Sequence, residues 1–265
     1  MKILITGAHG FVGNRLMQDL DDTVAAPSMR SMSEEQIRNM IEKSRADVII
    51  HTAAISDVGT CEKNPGASYE ANVRLPLFLA KAAKEQKLIC FSSDQVYRGC
   101  AGEGPYKEED ASPCNVYGRH KLEMEQRVLD VKPDAVMLRA EWMYDYPTKR
   151  SNYLRMLLNE KQVLTFGKQS RGLTYLREVA ENMPKIFMLP GGVYNFGSET
   201  KQTMYDITCE MLHFLKSDRK PEEVPPAHNL WMDCTKAKER GILFSDAKEG
   251  LKRCLKDYHL AKDRE

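Results

Sequence analysis

Short apolar runs punctuate the first half of the chain at regular intervals. They occur at KILIT (2–6), DVIIHTAA (47–54), LICFSS (88–93) and DAVMLRA (134–140), with a weaker run at 23–26. Runs of this length predict β-strands, and a continuous apolar run is typical of a strand that is covered on both faces.

Helical patterns separate these runs. They cover about 12–20 and about 67–85, and a further one after Cys114 contains Tyr117. Another helix opens at Ser33, where a capping residue is followed by acidic residues. Strands alternating with helices predict right-handed βαβ crossovers and therefore a doubly wound, Rossmann-type α/β fold with a parallel sheet.

Beyond Trp142 the alternation loosens, which indicates a smaller second lobe. We expect a sheet domain over 1–145 and a smaller lobe mainly over 146–265. Later segments are expected to complete the sheet. The elements expected in this half lie near 153–159, 193–197, 204–216 and 247–258, and the strand near 193–197 is the one expected to join the sheet.

Composition is that of an ordinary globular protein. Of 265 residues, 42% are hydrophobic and 29% charged, and the net charge of +1 provides no overall field for nucleic acid or an anionic membrane. Seven scattered cysteines without a C-x-x-C pair indicate neither a disulfide framework nor a zinc site, so no metal is expected. With neither a signal peptide nor a membrane-spanning run, we expect a cytoplasmic protein.

The loop ITGAHGFVG joins the first predicted strand to the first helix. Its three glycines, Gly7, Gly10 and Gly13, would permit a tight turn, a close approach of a diphosphate and close packing of the helix on the sheet. Phe11 and Val12 open that helix beside the diphosphate. The spacing at this junction predicts a dinucleotide-binding site.

The second predicted strand ends without the carboxylate that would bind a ribose 2′-hydroxyl. The region reads TVAAPSMRS and offers Ser28, Arg30 and Ser31 instead. A guanidinium suits a 2′-phosphate. The sequence therefore favours NADP over NAD, with Arg30 and Ser31 as cofactor contacts.

The segment SPCNVYGRHKLEME places Tyr117 and Lys121 one helical turn apart. By itself this spacing is compatible with a solvated helix face. It is also compatible with an acid–base pair in which the ammonium lowers the pKa of the phenol.

Four motifs occur together in a specific order: the glycine triplet, HTAA, FSSDQVY and NVYGRHK. In this order the chain resembles the extended short-chain dehydrogenase/reductase family, of the NAD-dependent epimerase/dehydratase superfamily. Within it, the chain most resembles the sugar-nucleotide reductase branch of dTDP-4-dehydrorhamnose reductase. The resemblance continues through LRAEWMY and QSRGLTY and covers nearly the whole chain.

The resemblance implies an NAD(P)H-dependent reductase of a 4-keto sugar nucleotide, with 1–145 binding the cofactor and 146–265 mainly the substrate. Tyr117 would be the general acid that protonates the carbonyl oxygen. Lys121 would bind the nicotinamide ribose and stabilise the tyrosinate, and Ser93 would polarise the carbonyl. Further implied cofactor contacts are Ala53, Ala54 and Ser56. The implied substrate contacts are Ser93, Asp94, Trp142 and Arg171, with Arg171 as a diphosphate partner.

Two alternatives stay open. Relatives such as the regulatory subunit of methionine adenosyltransferase bind a dinucleotide without catalysis, and nucleotide-sugar epimerases share Ser93, Tyr117 and Lys121. A dehydratase is disfavoured because Gln95 follows Asp94 where that chemistry needs a second acid. A small-molecule substrate is expected, with no nucleic acid or membrane partner, and a homodimer is left open.

Overall fold

The computed structural model describes residues 1–148 and 150–260. The strands are β1 (Ile3–Thr6), β2 (Thr23–Ala25), β3 (Val48–His51), β4 (Lys87–Ser93), β5 (Val136–Ala140), β6 (Trp142–Tyr144), β7 (Thr165–Phe166), β8 (Leu173–Tyr175), β9 (Gly192–Phe196) and β10 (Glu222–Glu223).

Helices connect most of these strands. They are α1 (Phe11–Asp19), α2 (Glu34–Ser44), α3 (Val58–Lys63), α4 (Pro65–Tyr69), α5 (Leu75–Ala82), α6 (Val116–Val131), α7 (Tyr153–Leu158), α8 (Leu176–Ile186), α9 (Met204–Phe214), α10 (Thr235–Lys238) and α11 (Ala247–Asp257). A π-helical segment (Glu70–Arg74) joins α4 to α5, and short 3₁₀ turns lie at Asp94–Tyr97 and Glu108–Asp110.

Six strands form one parallel sheet in the order β2-β1-β3-β4-β5-β9. The order reverses between β1 and β3, and ligands of open α/β sheets bind beyond the carboxyl ends of the strands at such a point. The predicted doubly wound, Rossmann-type fold is confirmed.

Alternate residues of the strands face two separate cores, because successive side chains of a strand point to opposite faces. On one face Ile5, Ile50 and their equivalents pack against α1, α8 and α10. On the other face Leu4, Ile49 and their equivalents pack against α2, α5 and α6. Helices therefore cover both faces of the sheet.

The helices differ from the expectations in two ways. The helix expected over 67–85 is interrupted by the π-helical segment, which ends just before Leu75 and Pro76. Proline lacks an N–H, so the preceding turn cannot close its regular hydrogen bond and widens instead. Helices α3, α8 and α10 were not predicted from the sequence, and the interior of α8 contains Pro184.

A third core lies outside the sheet layers. It is built from α7, α9, α11 and the two small sheets β6-β8 and β10-β7, and contains Tyr144, Leu157, Phe166 and Met211. This is the smaller lobe. The same half of the chain also supplies α8 and β9 to the main sheet layer, and the division at residues 145 and 146 stays a prediction. Within the described residues, no helix combines the length and apolar character that crossing a membrane requires.

A buried ion pair fastens α6 to the sheet. Arg139 of β5 donates from Nη2 to Glu125 Oε2 at 2.6 Å and from Nε to Oε1 at 3.0 Å, and only 3% and 2% of the two side chains are exposed. Ser92 of β4 also donates to Glu125. Because residues four apart share one helix face, this anchor turns Tyr117 and Lys121 toward the sheet.

Replacing Glu125 with alanine is expected to lower the free energy of unfolding by about 3–5 kcal/mol, because Arg139 would remain charged and buried without its partner. The matched control is Glu123→Ala, which removes an exposed partner of Arg127 on the same helix and should cost at most about 1 kcal/mol. Urea denaturation measures both. Equal losses in the two variants would contradict the anchoring role.

Candidate active site

A cleft of about 640 Å³ opens at the carboxyl ends of β1, β3, β4 and β5. Its lining includes residues from the glycine loop, the β3 end, the β4 end, α6 and the smaller lobe. Those predicted from the sequence are Gly7, Gly10, Phe11, Val12, Ala53, Ala54, Ser56, Ser93, Asp94, Tyr117, Lys121, Trp142 and Arg171. Residues far apart in the chain thus meet in one cavity.

The glycine loop makes a tight turn under the cleft. Gly7 has φ +71° and lies so close to the β3 end that an added Cβ would stand 2.7 Å from the Ala53 nitrogen. The Gly10 N–H donates to the Gly7 carbonyl at 2.8 Å. Gly13 does not line the cleft; an added Cβ would overlap the Gly7 carbonyl, so its role is to let α1 approach the loop.

A smaller pocket of about 260 Å³ adjoins the glycine loop on the other side of Ala53 and Ala54. Ser28 and Arg30 line it, so the predicted guanidinium lies at the edge of the dinucleotide-binding region. Ser31 lines neither cavity. It is exposed at a turn with φ +67°, and its predicted cofactor contact stays a prediction.

Lys121 lies inside the protein, with 2% of its surface exposed. Its Nζ donates to the Phe91 carbonyl at 2.8 Å and lies 5.8 Å from the centre of the Tyr117 ring. Ser93 ends β4 in the same cleft, and its hydroxyl donates to Asp94 at 3.2 Å. The structure therefore brings Ser93, Tyr117 and Lys121 together.

Burial controls the titration of this set. It raises the pKa of Tyr117 well above its ordinary value, and the neighbouring Ser93 hydroxyl offsets only part of that effect. It lowers the pKa of Lys121 to about 8, with Cys90 and Glu125 acting in the opposite direction. The expectation that the ammonium lowers the phenol's pKa is therefore not met here, because desolvation is the larger effect. Tyr117 is protonated at neutral pH.

The predicted substrate residues form one cluster at the other side of the cleft. Arg171 donates to Asp94 Oδ2 from Nε at 2.9 Å and from Nη2 at 2.8 Å. Its guanidinium carbon lies 5.3 Å from the centre of the Trp142 ring. Arg171 is thus paired with Asp94, and a contact to a diphosphate stays a prediction.

Comparisons with known proteins agree with this arrangement. The family model described as the RmlD substrate binding domain matches residues 1–260. The chain belongs to the RmlD family. A dTDP-4-dehydrorhamnose reductase of Aggregatibacter actinomycetemcomitans is 28% identical over 243 residues, which is 84% of this chain and 82% of that protein. Methionine adenosyltransferase 2 subunit beta of Danio rerio is 28% identical over 234 residues, covering 78% and 72%.

A solved structure shows the same fold. It is a dTDP-4-dehydrorhamnose reductase from Bacillus anthracis in complex with NADP, with a TM-score of 0.85 and 22% identity over 97% of this chain and 99% of that chain. The RmlD match spans the main sheet and the smaller lobe. Cleft residues from both, such as Ser93 and Arg171, lie within the matched region.

Glu141 and Arg150 are among the cleft residues of this RmlD-family chain that were not predicted from the sequence. Glu141 follows β5 directly, and Arg150 donates to Ser56 across the mouth of the cleft at 2.8 Å. The position of Glu141 at a strand end was a usable signal, because ligands bind beyond such ends. Arg150 lies in a loop, and no sequence pattern places it near Ser56.

Lys121→Met is expected to stabilise the protein by about 1–3 kcal/mol at neutral pH, because it removes a buried charge. The folded lysine releases its proton near pH 8 and the unfolded one near 10.5. Between these values the unfolded chain binds more protons, so the free energy of unfolding of the wild type increases as the pH rises. The difference in stability between Lys121→Met and the wild type therefore becomes smaller.

Chemical denaturation at neutral pH and near pH 9 measures this gap. Lys43→Met, on the exposed side of α2, is the control and should shift neither stability nor its pH dependence appreciably. A Lys121→Met variant that is less stable than the wild type at neutral pH would refute the prediction.

Proposed function

We propose that this chain is an NADPH-dependent reductase of a 4-keto sugar nucleotide, of the dTDP-4-dehydrorhamnose reductase type. The observation that carries the proposal is the convergence of Ser93, Tyr117 and Lys121 in one cleft beside the glycine turn. The names of the RmlD-family relatives support the same chemistry.

The cleft suits a nicotinamide dinucleotide. The side chains that would obstruct a flat ligand are small or absent at Gly7, Ala53 and Ala54. Gly10 precedes α1 without a side-chain cap, which leaves the amides at the start of α1 free for a diphosphate. When bound, the cofactor supplies the hydride that reduces the carbonyl carbon.

Side chains of the protein supply the proton that the carbonyl oxygen receives. Ser93 donates a hydrogen bond that positions the carbonyl oxygen, and Tyr117 transfers its phenolic proton to that oxygen as negative charge develops there. Tyr117 carries its proton at neutral pH, as a phenol with an ordinary pKa also does, and burial shifts its pKa further from neutrality. Lys121 stabilises the resulting phenolate, and the donors left beyond its bond to Phe91 serve the ribose hydroxyls.

The preference for NADP rests on Arg30. The chain offers no carboxylate at the end of β2 for a ribose 2′-hydroxyl, whereas Arg30 lines the pocket beside Ala53 and Ala54. A guanidinium in that place would pair with a 2′-phosphate. NAD is the alternative cofactor.

A regulatory, non-catalytic role is the second candidate. It is favoured by the similarity to methionine adenosyltransferase 2 subunit beta. Tight NADPH binding without turnover on any member of a panel of 4-keto sugar nucleotides would support it. The nucleotide-sugar epimerase alternative has less support, because several relatives that match more than four fifths of the chain carry reductase names.

We infer a cytoplasmic enzyme that acts on a small-molecule nucleotide sugar without a nucleic acid or membrane partner. A homodimer stays a prediction, and analytical ultracentrifugation would test it.

Tyr117→Phe is expected to slow NADPH oxidation with a 4-keto sugar nucleotide by about 10²- to 10⁴-fold, because no acid would protonate the oxygen. NADPH binding should be retained. The control is Tyr205→Phe on α9, which lies outside the residues that line the cleft. Steady-state kinetics and fluorescence titration give both quantities, and near-normal turnover in Tyr117→Phe would exclude the proposed acid.

Arg30→Ala is expected to weaken NADPH binding by about 10- to 100-fold, the loss of one charge-assisted contact, while NADH binding stays unchanged. Arg38→Ala removes an exposed arginine of α2 that pairs with Glu34 and serves as the control. Equilibrium titration with each cofactor measures the effect. An equal loss for NADPH and NADH would contradict recognition of the 2′-phosphate.

A further inference from the structure

A buried carboxyl group lies in the substrate half of the cleft without a role in the reduction. Glu141 follows β5 directly, and its neighbour Ala140 pairs in register with Ser93 of β4. Adjacent strands lie about 4.8 Å apart. Glu141 therefore lies one residue beyond the register pair that contains Ser93, and both residues line the cleft, so a sugar whose carbonyl oxygen is bonded to Ser93 would lie beside Glu141.

The surrounding chain is shaped around this carboxyl group. Only 5% of Glu141 is exposed, and Oε1 accepts a hydrogen bond from Thr174 Oγ1 at 2.5 Å. A Cβ added to either Gly172 or Gly197 would overlap the carboxyl group. Two glycines thus provide the space that the carboxyl group occupies, and Thr174 fixes its orientation.

Burial favours the neutral form of Glu141. Its pKa is raised to about 8, mainly by burial and also by Asp94, whereas hydrogen bonds from Thr174 and the Ser198 amide and the charge of Arg171 oppose the increase. The thiol of Cys234 is the other titratable group that senses this carboxylate, and its own pKa is raised well above the usual range. A neutral carboxyl both donates and accepts hydrogen bonds. Because Oε1 accepts from Thr174 and Glu141 lines the cleft, a proton on Oε2 would be the one to reach a ligand.

We propose that Glu141 determines substrate specificity by hydrogen-bonding a ring hydroxyl of the sugar, on the carbon next to the reacting carbonyl. For a 4-keto sugar this is the 3-hydroxyl. The inference rests on the proposed function for the identity of the ligand. A site that is built to bond a hydroxyl group rejects an analogue lacking it, because the buried polar group is then left unpaired.

The test compares two 4-keto sugar nucleotides that differ only in the 3-hydroxyl. The wild type is expected to favour the hydroxylated substrate in kcat/KM by about 100-fold or more. Glu141→Ala should lose most of this preference, whereas Glu141→Gln should retain it, because a carboxamide also donates and accepts. The ratio of kcat/KM for the two substrates, measured on one enzyme preparation, does not depend on the fraction of the protein that is folded.

A preference that survives unchanged in Glu141→Ala would overturn the proposal and leave Glu141 a purely structural partner of Thr174. Loss of the preference in Glu141→Gln as well as Glu141→Ala would also overturn it, because rescue by the amide is required for a hydrogen-bonding role.

A second measurement separates this proposal from the reductase assignment. Calorimetric binding of dTDP-glucose and its 3-deoxy analogue, with NADP⁺ present, needs no turnover. If the wild type reduces no ketone yet binds dTDP-glucose more tightly than the analogue, and Glu141→Ala removes the difference, the reductase assignment fails and the hydroxyl contact stands. Equal affinities of the wild type for the two sugars, or no binding of either, would overturn the contact.

Discussion

The buried ion pair between Glu125 and Arg139 is the constraint on which the candidate site depends. It is formed between α6 and β5, and Ser92 of β4 joins it, so one helix is tied to two central strands. Lys121 and Tyr117 lie one and two turns before Glu125, respectively, on the same face. A regular helix is a rigid element, so fixing Glu125 also fixes which face of the helix is turned toward the cleft. The positions of Tyr117 and Lys121 follow from this contact.

Exclusion of water then sets the chemistry of the cleft. Burial raises the pKa of Tyr117 and of Glu141, and lowers that of Lys121. For a reduction this is a consistent arrangement, because the acid must carry its proton when the hydride arrives. It also revises a simple view of the Tyr–Lys pair. In the proposed reaction the ammonium would stabilise a phenolate as the proton leaves and would not produce one beforehand.

The proposed cofactor half and the proposed substrate half of the cleft are built from different kinds of residue. The cofactor half consists of glycines, alanines and backbone amides, whose usefulness lies in the absence of side chains. The proposed substrate half contains polar side chains fixed by hydrogen bonds, as Arg171 pairs with Asp94 and Glu141 accepts from Thr174. Reaction type therefore follows from a few residues in order, whereas substrate choice follows from contacts among residues far apart in the chain.

The six strands of the main sheet, the glycine turn and the Ser33 cap could be predicted from the sequence because each depends on neighbouring residues. The order of motifs likewise indicated Tyr117 and Lys121 as a functional pair. Only the tertiary structure decided what lies around them. Helix α8 carries an internal proline that local preferences disfavour, and the Glu125–Arg139 pair, the space left for Glu141 and the pKa direction of Tyr117 are set by packing between distant segments. Burial is a property of the folded chain, so its electrostatic consequences cannot be deduced from local pattern.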